Sequence, residues 1–203
     1  MSGRGLSRER VLEAALALVD EEGLESLSMR RLGEALGVQA MSLYRHVAGK
    51  DDLLDGVQGA VLAEMEHPRV NGSLAERATA WSRALRGALM RHPKTIPLFS
   101  SRPVTDVVAL RQVEAALASL TEAGASDQEA LGLYQTMLAF VIGSAVLELT
   151  PRAPVAMSSE ALDDPHLPTL RRLAAVGRQL SPEAEFEAGL AILAAGVAAR
   201  AQG

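Results

Sequence analysis

The sequence predicts an all-α protein with a small N-terminal head and a larger helical domain behind it. Apolar residues recur at spacings of three and four along almost the whole chain, as they do on one face of a helix. No stretch shows sustained alternation rich in β-branched residues, the pattern of a half-buried strand. With 203 residues, 48% of them hydrophobic, the chain is long and apolar enough to bury a core.

Four helices are predicted to build the head and its exit. They cover about residues 7–22, 29–36, 40–46 and 50–66. Ser7 can cap the first helix, and Gly23 suits the left-handed residue that ends it. Gly37 separates the two short helices. Asp51 and Asp52 favour the start of the fourth helix, because negative charge is stabilised at the positive end of a helix dipole.

Caps and prolines delimit the remaining helices, which are predicted over about 73–92, 106–123, 127–149 and 182–200. Ser73 and Ser126 each precede a glutamate by three residues, the spacing of a capping box. Pro93 ends the first of these helices, and Pro182 occupies the first position of the last one. Residues 151–168 contain four prolines and predict a mobile loop with a short helical turn.

Composition excludes several functional classes. The chain has no cysteine, so a disulfide framework and a thiolate metal site are both excluded. No apolar run reaches the roughly 18 residues that span a bilayer, and the N-terminal segment lacks a signal sequence. We expect a cytoplasmic protein with no membrane partner.

Metal and cofactor sites are not expected either. Four histidines are scattered, and only Glu64 and His67 show a metal-site spacing, without the second copy that a di-metal bundle needs. We interpret that pair as a surface pair. No phosphate loop, serine elbow or zinc-protease motif is present, so the sequence indicates no enzyme.

Charge is unevenly distributed along the chain. The net charge is −5, which by itself argues against a nucleic-acid partner. Residues 28–50, however, hold four basic side chains and one acidic one, a local charge of +3. The segment before them adds Arg4, Arg8 and Arg10. The head is therefore the part of the chain suited to approach phosphate groups.

The segment Ser28–Val47 (SMRRLGEALGVQAMSLYRHV) has the pattern of a helix-turn-helix. Five apolar residues can meet in one core, with Ala35 allowing close approach: Leu32, Leu36, Val38, Leu43 and Val47. The second helix then turns outward side chains that can bond base edges and phosphates: Gln39, Ser42, Tyr44, Arg45 and His46. The alternative from these residues alone is an ordinary solvated helical hairpin.

The order and spacing of six motifs in the head resemble those of the tetracycline-repressor (TetR) family. They are VLEAALALV at 11–19, Gly23-Leu24, SMRRL at 28–32, LGV at 36–38, SLYRHV at 42–47 and KDDLL at 50–54. The resemblance implies that Arg30 touches phosphate or a base, and that Gln39, Ala40, Met41 and Ser42 read bases. Tyr44, His46 and Lys50 would hold the DNA backbone. Ala40 and Met41 offer bases mainly apolar contact, so the operator sequence does not follow.

The rest of the chain resembles the ligand domain of the tetracycline-repressor branch. The similar segments are 81–90, Ser101-Arg102-Pro103, 120–124 and 143–148. In that branch a histidine shortly before the Arg-Pro step chelates the drug's metal, whereas residues 96–100 here are IPLFS. We therefore expect an apolar or amphipathic organic effector. Bulky residues on neighbouring predicted helices are its candidate contacts, and most such residues are simply core: Trp81, Leu85, Met90, Leu98, Phe99, Tyr134, Gln135, Met137, Leu138 and Val141.

Two helices are candidates for a homodimer interface, near 127–149 and 183–200. Small residues on the last helix permit close helix crossing: Gly189, Ala195, Gly196 and Ala199. The alternative is that both helices pack only within one chain.

Taken together, the sequence predicts a DNA-binding head over residues 1–50, a connecting helix at 50–66 and an effector and dimerisation domain at 67–203. The expected function is ligand-responsive repression, with activation, or a helical enzyme or carrier, as alternatives.

Overall fold

The computed structural model describes residues 5–66, 70–150, 164–177 and 179–200, and the regular structure within them is helical. The α-helices, numbered in chain order, are α1 (Arg8–Glu22), α2 (Met29–Leu36), α3 (Ala40–Leu43), α4 (Lys50–Ala63), α5 (Leu74–Arg91), α6 (Ile96–Ser101), α7 (Val107–Glu122), α8 (Asp127–Leu149), α9 (Pro168–Gly177) and α10 (Pro182–Arg200). The predicted all-α fold is confirmed.

The head is built from α1, α2, α3 and the first half of α4. Their apolar residues form one core, in which Val11, Val19, Leu32, Leu43 and Leu53 are fully buried. The predicted cap at Ser7 is present, and Ser28 caps α2 in the same way. The Ser7 hydroxyl accepts a hydrogen bond from the Arg10 amide, and the Ser28 hydroxyl accepts one from the Arg31 amide.

The larger domain is a helical bundle in which α5 is the central element. α8 and α10 both pack on α5, while α7 packs between α4 and α8. Leu85, Leu89, Met137 and Leu190 are buried at these contacts. The predicted capping boxes at Ser73 and Ser126 are both formed, because each serine and the glutamate three residues later bond to each other's backbone amide.

The structure differs from the predicted elements in four places. A helix at Ile96–Ser101 was not predicted, although Pro97 fits its first turn, where a missing amide hydrogen costs nothing. The helix Pro168–Gly177 was not predicted either. The third helix stops at Leu43 and continues as a turn, and α4 stops at Ala63, three residues early.

Two predicted features, a loop and a surface pair, fall partly outside the described residues. The prediction of a loop over 151–168 concerns mostly residues 151–163, which are not described, and Pro168 already belongs to α9. His67, from the predicted surface pair with Glu64, also lies outside the described residues.

Helix α8 has an exposed apolar face. By length and composition it could cross a membrane, contrary to the expectation that no segment is apolar enough. Only 22% of its most apolar stretch is buried within the chain. Leu131, Val146 and Leu147 are among its exposed side chains. A contiguous exposed apolar face of this kind is typical of an interaction surface.

Candidate DNA-binding surface and effector cavity

The turn between α2 and α3 depends on two glycines. Gly37 has φ 67°, in the left-handed region, and its amide closes α2 onto Gly33 and Glu34. Gly33 lies against the following turn, since a Cβ there would be 2.9 Å from the Val38 carbonyl oxygen. Ala35, which the sequence assigned to the close approach, is exposed. The close contact falls two helix positions earlier than expected, because Gly33 is buried and Ala35 is exposed.

All of the predicted DNA-contacting residues are exposed or half-buried on the head. Leu43 and Val47 are buried beneath them, and Leu36 and Val38 are partly buried. Met41 is 74% exposed. The exposed members of the set are Arg30, Gln39, Met41, Tyr44, Arg45 and Lys50, and the half-buried members are Ala40, Ser42 and His46. The sequence pattern therefore gives a surface of amide, hydroxyl, phenol and cationic groups supported by apolar residues.

Arg8, the first residue of α1, bonds to the end of this surface and to the first turn of α4. Its guanidinium donates to the His46 carbonyl oxygen at 3.0 Å and to both carboxylate oxygens of Asp52, at 2.6 and 2.9 Å. Asp52 also accepts from the Ala48 amide at 2.7 Å. The hydrogen bond from Arg8 lowers the pKa of Asp52 and outweighs the opposing effect of burial. This bidentate pair fixes the first turn of α4 relative to α1.

A second ion pair joins α4 to the larger domain. The Arg102 guanidinium donates to Asp55 at 2.9 and 3.1 Å and to Asp51 at 3.0 Å. The Thr105 hydroxyl donates to Asp55 at 2.8 Å. Farther along α4, a Cβ on Gly59 would lie 2.5 Å from Oδ1 of Asp106, so α4 and the start of α7 are in close contact.

His92 links the C-terminal end of α4 to α1. Its imidazole lies between Asp20 of α1, at 2.7 Å, and Glu64 at the end of α4, at 3.1 Å, while Arg91 donates to Glu64 at 3.0 Å. Burial lowers the pKa of His92, but the hydrogen bonds to Glu64 and Asp20 outweigh burial and raise the pKa above its ordinary value. Three helices thus meet at one titratable side chain.

A cavity of about 150 Å³ lies beside α4 in the larger domain. Five predicted effector contacts line it: Trp81, Leu85, Phe99, Tyr134 and Leu138. Met137 lines an adjoining cavity of about 100 Å³ together with Trp81 and Tyr134. Gln135 lines an open groove on α8. Met90, Leu98 and Val141 line none of these three spaces, and Leu98 and Val141 are buried in the core.

Sequence reasoning missed nine residues that line the 150 Å³ cavity: Gln58, Leu62, Met65, Arg102, Pro103, Val104, Gln112, Val113 and Ile142. Most come from α4, α7 and the segment after α6, whose contacts with α5 and α8 the helical pattern does not reveal. Arg102 and Pro103 could have been identified from the sequence, because they belong to one of the segments that resemble the tetracycline-repressor branch. Gln58 is 2% exposed, and a buried amide inside an apolar helix is itself a signal.

The cavity is aromatic and close to neutral. Trp81 and Tyr134 pack with ring centroids 5.1 Å apart at 51°. Burial raises the pKa of Tyr134, so its phenol stays protonated. Arg102 is the one side chain among the lining residues with a permanent charge, and Asp51 and Asp55 compensate it. Within the described part of the chain, no three His, Cys, Asp or Glu residues cluster as they would around a metal ion.

Two family models match the chain. Residues 11–57 match "Bacterial regulatory proteins, tetR family", and residues 67–201 match "Tetracyclin repressor-like, C-terminal domain". A helix-turn-helix with an exposed polar surface, followed by a bundle with an internal cavity, defines a DNA-binding transcription regulator. The chain belongs to the TetR family. Members of this family are transcription factors rather than enzymes, so the alternative of a helical enzyme is excluded.

Curated relatives share this assignment. The chain is 36% identical over 144 residues to an HTH-type transcriptional regulator of Saccharopolyspora erythraea and 36% identical over 146 residues to the repressor DrrR1 of Streptomyces coeruleorubidus. These alignments cover about 70% of the chain but only 61% and 54% of the two relatives. The class A tetracycline repressor of Escherichia coli is 30% identical over 200 residues, with 96% of this chain and 92% of that protein covered.

Solved structures show the same fold throughout. Apo ActR from Streptomyces coelicolor superimposes with a TM-score of 0.86 at 30% identity, and 98% of this chain and 97% of ActR are covered. ActR in complex with actinorhodin superimposes with a TM-score of 0.85 at 29% identity, with 97% of each chain covered.

Proposed function

We propose that this protein is a ligand-responsive transcriptional repressor that binds a palindromic DNA operator as a homodimer. The observation that carries the proposal is the exposed surface from Gln39 to Arg45, held on a buried apolar scaffold. Repressors among the relatives support the direction of regulation. The proposed head comprises residues 1–50, the connecting helix 50–66 and the effector and dimerisation domain 67–203. A cytoplasmic location fits this role.

The recognition helix and its flanking turn would enter the major groove. Gln39 and Ser42 supply hydrogen-bonding groups for base edges, and Met41 supplies an apolar contact suited to a thymine methyl group. Ala40 is small enough to allow close approach. The cationic and aromatic residues around them, Arg30, Tyr44, Arg45, His46 and Lys50, would hold phosphates and fix the register.

The dimer is proposed to form through α8 and α10. The exposed face of α8 includes Leu131, Val146 and Leu147, and that of α10 includes Ile192, which is 73% exposed. Ala195, Gly196 and Ala199 are exposed on α10 and would let helices of the two copies cross closely. Gly189 has a different role, since a Cβ there would lie 2.7 Å from Phe140 of the same chain. That glycine serves packing inside one subunit.

The effector would act through α4. The helix is fastened to the head by the pair of Asp52 with Arg8, and to the cavity wall by the pair of Asp55 with Arg102. Gln58 and Leu62 of the same helix line the cavity. A ligand that shifts this wall therefore shifts the head. The heads of a dimer must lie about 34–36 Å apart to occupy successive major grooves, so a changed spacing releases DNA.

Operator selection tests the proposal. Fragments of the genomic DNA around the gene are bound by the purified protein, and retained fragments are sequenced. We expect a palindrome with half-sites about one helical turn apart. Absence of preference for any duplex at moderate salt would contradict the proposal. Target transcription after deletion of the gene decides between repression, which predicts a rise, and activation, which predicts a fall.

A further inference from the structure

Two residues that line the larger-domain cavity each have a buried polar atom without a hydrogen-bond partner. Nε1 of Trp81 and Oε1 of Gln112 are both shielded from solvent, and neither has a hydrogen-bond partner among the described residues. Both residues line the 150 Å³ cavity. One atom is a donor and the other an acceptor. An unpaired buried polar atom costs free energy, so two in one cavity wall indicate groups that a ligand satisfies.

The charge of the wall restricts the ligand further. Arg102 is already paired with Asp51 and Asp55 on α4. A carboxylate ligand would compete with those aspartates, and an ammonium ligand would meet no free acid among the lining residues. An uncharged ligand avoids both costs.

We propose that the effector is an uncharged aromatic molecule with a carbonyl oxygen that accepts from Trp81 Nε1 and a hydroxyl group that donates to Gln112 Oε1. This inference rests on the proposed function, because it assumes that the cavity is the effector site. The aromatic body would pack on the rings of Trp81, Tyr134 and Phe99 and on the aliphatic wall. A cavity of about 150 Å³ holds a single benzene-sized ring.

Four small probes of nearly equal shape separate the two hydrogen bonds. Para-hydroxyacetophenone carries both groups, acetophenone only the carbonyl, para-ethylphenol only the hydroxyl, and ethylbenzene neither. Dissociation constants for the full-length protein are measured by ligand-observed NMR titration. We expect para-hydroxyacetophenone to bind most tightly, with a loss of about three- to tenfold for each group removed.

Two variants assign each group to its partner. Trp81→Phe keeps an aromatic ring but removes the donor, so it should abolish the advantage of the carbonyl and keep that of the hydroxyl. Gln112→Leu should do the reverse. Ile142→Val, which alters only the apolar wall, is the control and should weaken all four probes by a similar factor.

Three results would overturn the inference: equal binding of all four probes, no binding of para-hydroxyacetophenone, or tighter binding of the charged analogue para-hydroxybenzoate. Operator binding is measured in the same preparation. If it persists while the probe pattern fails, the ligand class is wrong and the repressor proposal stands. If operator binding fails while the probe pattern holds, the cavity binds this class of ligand without a regulatory role.

Discussion

Single residues decide whether the helix-turn-helix can form. At Gly33 the obstacle to a side chain is backbone, the Val38 carbonyl oxygen at 2.9 Å and the Ala40 amide nitrogen at 3.2 Å, and backbone cannot swing away as a side chain can. The sequence marked the turn through Gly37 correctly but chose Ala35 for the close contact. Gly33 and Ala35 lie two positions apart and do not share a face of α2, so which of the two meets the following turn is known only once the helix is packed.

Gly33→Ala is expected to destabilise the head. The added methyl group must push the turn that carries the recognition helix, at a cost of about 1–3 kcal/mol. Thermal unfolding and operator titration measure the two effects, and both should decline. Gly87→Ala is the control, since the nearest atom to its Cβ is the Arg91 guanidinium at 3.9 Å, and it should be neutral or stabilising. Unchanged stability of Gly33→Ala would refute the close contact.

Arg45 and Lys50 are predicted to contact phosphate. Replacement of either by alanine should weaken operator binding and flatten its dependence on salt by about one unit of slope per lost contact in each subunit. Fluorescence anisotropy at several salt concentrations gives the slope. Arg111→Ala, an exposed arginine on α7, is the control and should leave the slope unchanged. An unaltered slope for Lys50→Ala would remove that residue from the contacts.

At the scale of elements, α4 is the part of the molecule that belongs to both domains. Sequence reasoning located its start well, because Asp51 and Asp52 mark a helix N-terminus. The same residues proved to have second functions, as partners of Arg102 and Arg8, which lie 51 and 44 positions away. Long-range ion pairs leave no periodic trace in a sequence. Helix α6 was also not predicted. A proline such as Pro97 is tolerated in the first turn of a helix but disrupts its interior, and the sequence alone does not show which of the two positions it occupies.

Asp52→Asn tests whether the pair with Arg8 positions the head. Removal of a negative charge near DNA should by itself strengthen operator binding. We expect weaker binding instead, because loss of the charge-assisted bonds loosens α4 from α1 at a cost of about 1–3 kcal/mol. The sign of the change in operator affinity therefore discriminates between the two effects. Glu25→Gln, an exposed acid in the turn after α1, isolates the electrostatic effect alone.

His92 is expected to make stability depend on pH. Its pKa is raised in the folded state, so its contribution is complete below the unfolded value of about 6.5 and is lost as pH rises through the folded value. Urea unfolding between pH 6 and 8.5 should therefore show a decline in the free energy of unfolding. His92→Gln should flatten that decline, whereas His166→Gln, at an exposed site, should not. Equal slopes in all three proteins would exclude the contribution.

At the scale of the whole molecule, α8 and α10 each have an apolar face that is exposed in a single chain. The sequence indicated both helices as an interface from their small and apolar residues, and the structure leaves these faces uncovered in one copy. It also separates two kinds of small residue that look alike in sequence. Gly189 accommodates Phe140 within the chain, whereas Gly196 faces open space. The two glycines can be distinguished only when the position of the neighbouring helix is known.

Ile192→Glu is expected to break the proposed dimer. A buried unpaired carboxylate at a subunit interface is costly, and the heads of separated chains cannot occupy both half-sites. Sedimentation should show a monomer, and operator affinity should fall at least tenfold. Val107→Glu, at a 61% exposed residue of α7 outside the interface, should remain dimeric. A dimeric Ile192→Glu protein would place the interface elsewhere.

The dimensions of α4 determine how far the heads can travel. Its 14 residues make a rod about 21 Å long. A tilt of about 5° around the Glu64 end would carry Lys50 nearly 2 Å sideways, whereas hydrogen bonds to bases and phosphates tolerate only a few tenths of an ångström. In the proposed dimer, a displacement at Leu62 smaller than a bond length would be enough to take both heads out of register with the double helix.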